Sequence, residues 1–313
     1  MPVCFLGGCT LNEASNAEND GPALVIGRRG SGPGCFSSPR GLAVASDGRV
    51  AVTDKTGRVI ILTPGGEELI SWKLPKIDNG TPTGIVFDET DPTTTTLLIA
   101  DTHNSRVLRY SLGGRLVDQF GEYGDQPGRM IYPTDVAVDA EGTIYLSEYG
   151  LTDRVMKFDR EGRFLDQWGG FGQEDGRFQR PLGLVWTPDD RIIVADTCNH
   201  RIQTFTTEGE HLATWGGVGS EAGEFNYPYD VTLGPGGELF VIEYGNNRIQ
   251  CLDARGNPKA VYGRPGSAPG DFAAPWGVAL GADHRIYVAD TNNHRVQVFP
   301  AQWLVDRVRV NES

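Results

Sequence analysis

The sequence predicts an all-β fold, a six-bladed β-propeller of four-stranded antiparallel blades, on three observations. First, an acidic residue recurs at Asp54, Asp101, Glu148, Asp196, Glu243 and Asp290, with successive spacings of 47, 47, 48, 47 and 47. So regular a period across most of a chain signals a repeat architecture rather than two unlike domains. Second, each period divides into four short apolar runs separated by turn chemistry, and no amphipathic helical period of any length appears. Third, the chain holds 42 glycines and 19 prolines, a supply of turn formers that suits many short strands.

A proline marker opens each period: Pro39-Arg40-Gly41, Pro82-Thr83-Gly84, Pro133-Thr134-Asp135, Pro181-Leu182-Gly183, Pro228-Tyr229-Asp230 and Pro275-Trp276-Gly277. In the fourth copy the strands are expected at Leu182–Trp186, Arg191–Ala195, Arg201–Phe205 and His211–Trp215. The first pair is joined by T-P-D-D and the last pair by T-T-E-G-E, both turn sequences. The second strand, I-I-V-A, is apolar on consecutive residues, as expected when both faces are covered.

The recurrent acid ends the second strand. An Arg followed by a β-branched residue opens the third, at Arg58, Arg106, Arg154, Arg201, Arg248 and Arg295. A loop of pattern G-x-x-G-x-x-x-G-x-F/M then leads to the next proline, with copies beginning at Gly27, Gly121, Gly169, Gly216 and Gly263; before Pro82 it is replaced by K-L-P-K-I-D-N-G-T. These loops lack the following helix and the Lys of a phosphate-binding loop, so the glycines are read as suppliers of positive φ.

The sixth copy, Pro275 to Phe299, has no outer strand of its own. Leu24-Val25-Ile26-Gly27 enters a glycine loop as Ala213-Thr214-Trp215-Gly216 does, so the N-terminal strand is expected to pair into blade six and close the ring. Residues 23–300 are therefore the propeller, 1–22 a flexible N-terminal segment, and 301–313 a tail on or near the last blade. The alternating apolar pattern from Trp303 to Val310 leaves two placements open, packing on the rim or competing for that edge.

With a formal net charge of −13, a phosphate-backbone partner is disfavoured, because affinity for nucleic acid comes largely from Lys and Arg. No run of about 18 apolar residues could span a membrane. Cys35, Cys198 and Cys251 are scattered without metal or redox spacing. Leu6-Gly7-Gly8-Cys9 resembles a bacterial lipobox, and the polar stretch after it suits a tether. The apolar region before it is short for a signal peptide and lacks a basic start. Two expectations stand: a lipid anchor at Cys9 on an extracytoplasmic, cell-envelope protein, or a disordered start on a soluble one.

The N-H-R-I-Q at Asn199–Gln203 and N-H-R-V-Q at Asn293–Gln297, set in six in-register copies over Ala23 to Pro300, closely resemble NHL-repeat β-propellers. The resemblance implies the propeller independently of the strand reading. It does not imply one function, since the family includes RNA-binding and protein-binding modules, extracellular sensor domains and a metal-containing peptide-amidating lyase.

Six copies of one acid–Arg pair read as a fastening of the repeat rather than six catalytic pairs. His200 and His294 hold equivalent repeat positions and are read as part of that scaffold before any zinc site. The informative feature is where the repeats differ. Blades three and five pair Asp135 with Glu148-Tyr149-Gly150 and Asp230 with Glu243-Tyr244-Gly245, and place Tyr132 and Tyr227 before the proline.

Antiparallel topology puts both markers on one face, around the channel mouth, where these residues would clamp the sector of blade four with Trp276 and Arg180 at its border. The competing reading is a scaffold variant in which Asp135 and Asp230 bond neighbouring backbone or Arg. The leading functional expectation is a monomeric, non-enzymatic module that binds a protein, peptide or small ligand there, a cationic group being favoured by acids beside tyrosines. The alternative is a metal-dependent enzyme of the amidating-lyase or lactonase type, with Ca or Zn in the channel mouth. No other cofactor is expected, and no nucleophile–base arrangement can be assembled from spacing.

Overall fold

The structure is a computed structural model that describes residues 22–306; Cys9 and its lipobox-like surroundings lie outside the described residues. Six four-stranded antiparallel sheets are arranged around a central channel. In blade four the strands are Pro181–Thr187, Arg191–Asp196, Arg201–Thr206 and His211–Gly216, within a residue of the sequence expectation. Neighbouring first strands touch in the order one to six and back to one. Leu24–Ile26 pairs antiparallel with Arg295–Pro300, with Leu24 opposite Val298 and Ile26 opposite Val296, so the first described strand is the outer strand of blade six.

Each second strand is buried over all or all but one of its residues, as Val50–Asp54 and Arg191–Asp196 illustrate. This explains why those runs are apolar on consecutive residues: one face packs on the preceding blade and the other on the following one. The core is accordingly a ring of apolar clusters between blades. One joins Ala137, Tyr145 and Val155 of blade three to Leu184, Val194 and Phe205 of blade four. Each such interface excludes apolar surface from water at roughly 25 cal/mol per Å².

The repeat motif itself is a polar hub, shown by blade four and repeated partner for partner in blades five and six. Asp196 is completely buried and accepts four hydrogen bonds: from the Gln179 N–H (2.7 Å), Asn199 Nδ2 (2.8 Å), Arg201 Nε (2.7 Å) and Gln203 Nε2 (3.0 Å). Arg201 then donates to the carbonyls of Gln173, Glu174 and Arg177 in the glycine loop. One carboxylate therefore fixes the second strand, the third strand and the loop arriving from blade three. Gly169 in that loop has φ +111, and a Cβ there would strike the buried Phe178 ring, so the glycine is needed both for conformation and for space.

The remaining motif residue, His, joins one blade to the next. His200 and His294 adopt φ near +54 and +57, and each Nδ1 accepts a backbone N–H from the following blade: Tyr227 at 3.2 Å and Ser38 at 3.0 Å. Asp153 and Asn247 do the same in blades three and five, accepting from the N–H of Arg180 (2.6 Å) and Ala274 (2.7 Å). The two histidines are thus latches between blades, each through its Nδ1.

The tail does not continue as a strand. Ala301–Asp306 is a short helix whose Ala301 and Leu304 join the blade five–six core, with the Trp303 ring 4.8 Å from that of Tyr262 and stacked 5.9 Å from that of Phe299. The edge that an alternating segment would need is already taken by Leu24–Ile26.

Two outcomes follow. Arg201→Ala leaves a buried carboxylate without its counter-charge and should cost about 3–5 kcal/mol in urea unfolding, whereas a loss under about 1 kcal/mol would mean that the pair is ornamental. His294→Asn should unfold close to the parent, because Asn247 already performs this role, while His294→Ala should be clearly less stable in the same assay.

Candidate functional site

The first strands of all six blades enclose a cavity of about 230 Å³ along the propeller axis. At its mouth stands the residue between Pro and Gly/Asp in each marker: Arg40, Thr83, Thr134, Leu182, Tyr229 and Trp276. Pairing to the second strand slips at this point in blades one, three, four and five, for example between Pro228 and Asp230. Such bulges re-aim side chains, and here they turn the marker residue and its neighbour toward the axis.

Thr83 and Thr134 are spent on interblade hydrogen bonds, to the Thr134 carbonyl (2.6 Å) and the Pro181 carbonyl (3.0 Å) respectively. Blades five, six and one instead present Tyr229, Trp276 and Arg40 side by side. The Tyr229 and Tyr244 rings stack at 4.5 Å, Trp276 meets Tyr229 edge-on at 4.7 Å, and the Arg40 guanidinium lies 4.3 Å over the Trp276 ring. Across the mouth, Tyr132 and Tyr149 stack at 5.1 Å, with the Arg180 guanidinium 4.8 Å over Tyr149. Burial pushes the Arg40 guanidinium below its ordinary range, opposed by Tyr229, Tyr149 and Tyr244 and reinforced by the like charge of Arg180.

Deeper in the channel are Asp135 and Asp230. The Leu184 N–H donates to Asp135 Oδ2 at 3.0 Å, and the Val278 N–H to Asp230 Oδ2 at 2.8 Å, so each carboxyl ties its blade to the next first strand. A Cβ at Gly84 or Gly183 would overlap Asp135 or Asp230, which is why blades two and four keep glycine at the position where three and five carry Asp. The two carboxyls are only half-buried at their surface, because they open on the channel, yet protein surrounds them on every side. Burial pushes Asp135 up to about 7. It pushes Asp230 well above the usual carboxylate range too, and the Asp135 charge adds to that rise. The cost of enclosing a charge outweighs two backbone hydrogen bonds here.

Of the residues singled out from sequence, Asp135, Tyr149, Arg180, Asp230, Tyr244 and Trp276 come together at the channel or its mouth, and Tyr132 backs Tyr149. Tyr227 turns away and packs on His200, its ring 4.5 Å from the imidazole; Tyr229 takes the place beside Tyr244 that Tyr227 was expected to fill. Glu148 and Glu243 are completely buried hubs, accepting Arg154 Nε at 2.7 Å and Arg248 Nε at 2.5 Å, with Ile131 and Asn226 N–H groups as further donors. Asp54–Arg58, Asp101–Arg106 and Asp290–Arg295 are paired in the same way.

Sequence reasoning missed Arg40 and Tyr229. The signal was present in the marker list, where the middle residue is large in three consecutive blades around the ring. Cys198 also borders the mouth, near Arg180 and Tyr229, its thiol pushed up by burial. Among the described residues no three His, Cys, Asp or Glu side chains converge as metal ligands. With Glu148 and Glu243 turned inward to arginines, only Asp135 and Asp230 of these four acids face the channel, and two carboxyls alone do not make up a Ca or Zn donor set.

The raised Asp135 pKa has a stability consequence of fixed sign. A carboxyl that holds its proton more tightly when folded contributes most below its unfolded pKa, and that contribution is lost as pH rises from about 4 through about 7. Asp135→Asn keeps an acceptor for the Leu184 N–H and removes the charge. It should melt above the parent by a few degrees at about pH 8, with the difference narrowing as pH falls and closing only at about pH 4. A variant that melts below the parent throughout would show that the ionised form is the one the fold prefers.

The family pattern described as the NHL repeat matches residues 178–205, 225–252 and 272–299, in blades four, five and six. No curated protein matches the sequence at a significant level. Among solved structures, a streptogramin B lyase is similar with a TM-score of 0.60 and 15% identity, over 84% of this chain and 93% of that one. Catalytically inactive virginiamycin B lyase from Staphylococcus aureus with quinupristin gives 0.60 and 17%, over 92% and 98%. A gluconolactonase from Xanthomonas campestris gives 0.64 and 16%, over 85% and 86%. At these identities the likeness concerns the fold. Three matched repeats within six blades built on one hub identify the chain as an NHL-repeat six-bladed β-propeller.

Proposed function

We propose that this propeller is a binding module whose ligand, a small molecule or the end of a peptide, seats in the channel mouth against Tyr149, Tyr229, Tyr244 and Trp276. The observation that carries this reading is the convergence of three large marker residues, Arg40, Tyr229 and Trp276, where blades two and three need only Thr to join their neighbours. Among the described residues, none of these three side chains takes part in an ion pair or a short interblade hydrogen bond. They meet one another through ring and guanidinium contacts, and Tyr229 also packs on the blade five–six core. A rigid ring presenting aromatic faces around a cavity is a common arrangement of ligand sites. The site therefore lies over blades five, six and one, facing Tyr149 and Arg180 of blades three and four, a wider sector than the clamp over blade four expected from sequence.

A thermal-shift screen of small molecules and short peptides tests this directly. Hits should lose about tenfold or more in affinity in Tyr229→Ala and Trp276→Ala and be indifferent to Phe171→Ala, which removes an exposed aromatic ring from a loop. Hits that survive both mouth substitutions, or a screen without hits, contradict the proposal.

A second reading, an enzyme acting in the channel, is favoured by one observation: Asp135 faces the cavity with a pKa near neutrality, where a carboxyl can both give and accept a proton. The likeness to lyase and lactonase structures is one of fold and adds no residue to that case. Lactone or ester hydrolysis that depends on Asp135 and disappears in Asp135→Asn would move the reading from binding to catalysis.

A further inference from the structure

Resting on the mouth-binding reading, we infer that the ligand carries an oxyanion, a carboxylate or phosphate on a planar apolar body, held between the guanidinium groups of Arg40 and Arg180. The chain has 41 acidic against 28 basic side chains, and most of its arginines pair with a carboxylate. The hub arginines all have one, as do surface residues such as Arg163 and Arg264. Arg40 and Arg180 do not: among the described residues neither has an acidic oxygen within ion-pair distance. Arg40 makes one long side-chain hydrogen bond, Nη1 to Thr81 Oγ1 at 3.3 Å, and its Nε is buried without a partner. Arg180 uses only its backbone N–H, on Asp153 Oδ1, and its guanidinium stands exposed over Tyr149.

Two guanidinium groups without a carboxylate partner thus stand at the same mouth, Arg40 over Trp276 and Arg180 over Tyr149, with five or more N–H donors unspent between them. That arrangement carries a cost which a bridging oxyanion removes, since guanidinium groups match carboxylate and phosphate oxygens bidentately. Arg180 sits at φ +54, a conformation maintained by the Asp153 latch, so its position is imposed by the scaffold. The carboxyls below do not cancel the site. Burial favours the protonated form of Asp135 and Asp230, which lowers their negative charge. The aromatic walls suit the planar body: Tyr229 stacked on Tyr244, with Trp276 edge-on.

The test uses the full chain and the arginine reagent phenylglyoxal, with modification of Arg40 and Arg180 read by peptide mass spectrometry. Benzoate, phenyl phosphate, benzyl alcohol and benzylamine are added in parallel, up to their solubility limits. Benzoate or phenyl phosphate should slow modification of both arginines by about fivefold or more, in line with occupancy, and the stronger of the two distinguishes carboxylate from phosphate ligands. Benzyl alcohol and benzylamine should give no protection. Arg180→Gln, an exposed change that spares the fold, should abolish the protection of Arg40.

Equal protection by the alcohol or the amine overturns the oxyanion while leaving the mouth as the binding site. If none of the four protects but the screening hits still depend on Tyr229, the oxyanion inference alone falls. If neither protection nor any Tyr229-dependent hit is found, both fall.

Discussion

The structure depends on a buried carboxylate that is never left alone. In each blade an Asp or Glu at the end of the second strand is enclosed by protein, and an arginine from the third strand reaches it. Burying either charge singly would cost several kcal/mol, and the pair is made tolerable by further hydrogen bonds to both partners. At Asp196 those partners are drawn from two side chains of the motif and from the backbone N–H of Gln179, and Arg201 spends its other donors on three loop carbonyls. The constraint is therefore geometric as much as energetic. Satisfying one carboxylate requires the strand turn, the incoming glycine loop and the motif side chains to be in place together, and six such hubs set the positions of six blades.

This division of labour frees the axis. With fastening done at the hubs and by the latches at His200, His294, Asp153 and Asn247, the first residues of some inner strands are free to vary. Blades two and three still use theirs to join neighbours, through Thr83 and Thr134. Blades five, six and one do not, and it is there that tyrosine, tryptophan and arginine gather. The bulges in the inner strands supply the change of direction that points them into the mouth. Asp135 and Asp230 do both jobs, linking blades through a backbone N–H while exposing a carboxyl to the channel.

The fold was legible in the sequence because its determinants are local and repeated. The acid–Arg spacing, the four apolar runs and the N-terminal strand that lacks a blade of its own can all be counted along the chain. The linked exchange of Gly for Asp and Asp-Thr for Glu-Tyr in blades three and five was legible too, and Gly84 and Gly183 now give its reason: they leave room for the Asp of the following blade.

The site was less legible because it is assembled from residues some 236 positions apart, Arg40 to Trp276, whose adjacency exists only after the ring closes. Glu148 and Glu243 looked like channel acids by their place beside tyrosines, but hub geometry turns them inward to Arg154 and Arg248. The short tail helix was hidden because the alternating pattern begins at Trp303, whereas the helix Ala301–Asp306 is fixed by Ala301, Trp303 and Leu304 packing on the blade five–six core.

The central claim is that repeated residues carry the stability and that the mouth residues which depart from the repeat carry the function. Urea unfolding of two variants tests it most directly: Asp290→Ala at a hub and the double change Arg40→Gln/Arg180→Gln at the mouth. The hub variant should lose a large part of its unfolding free energy, about 3–5 kcal/mol, while the mouth variant should unfold close to the parent midpoint because neither guanidinium holds a buried ion pair. Comparable losses in the two variants, or a mouth variant less stable than the hub variant, would contradict the account.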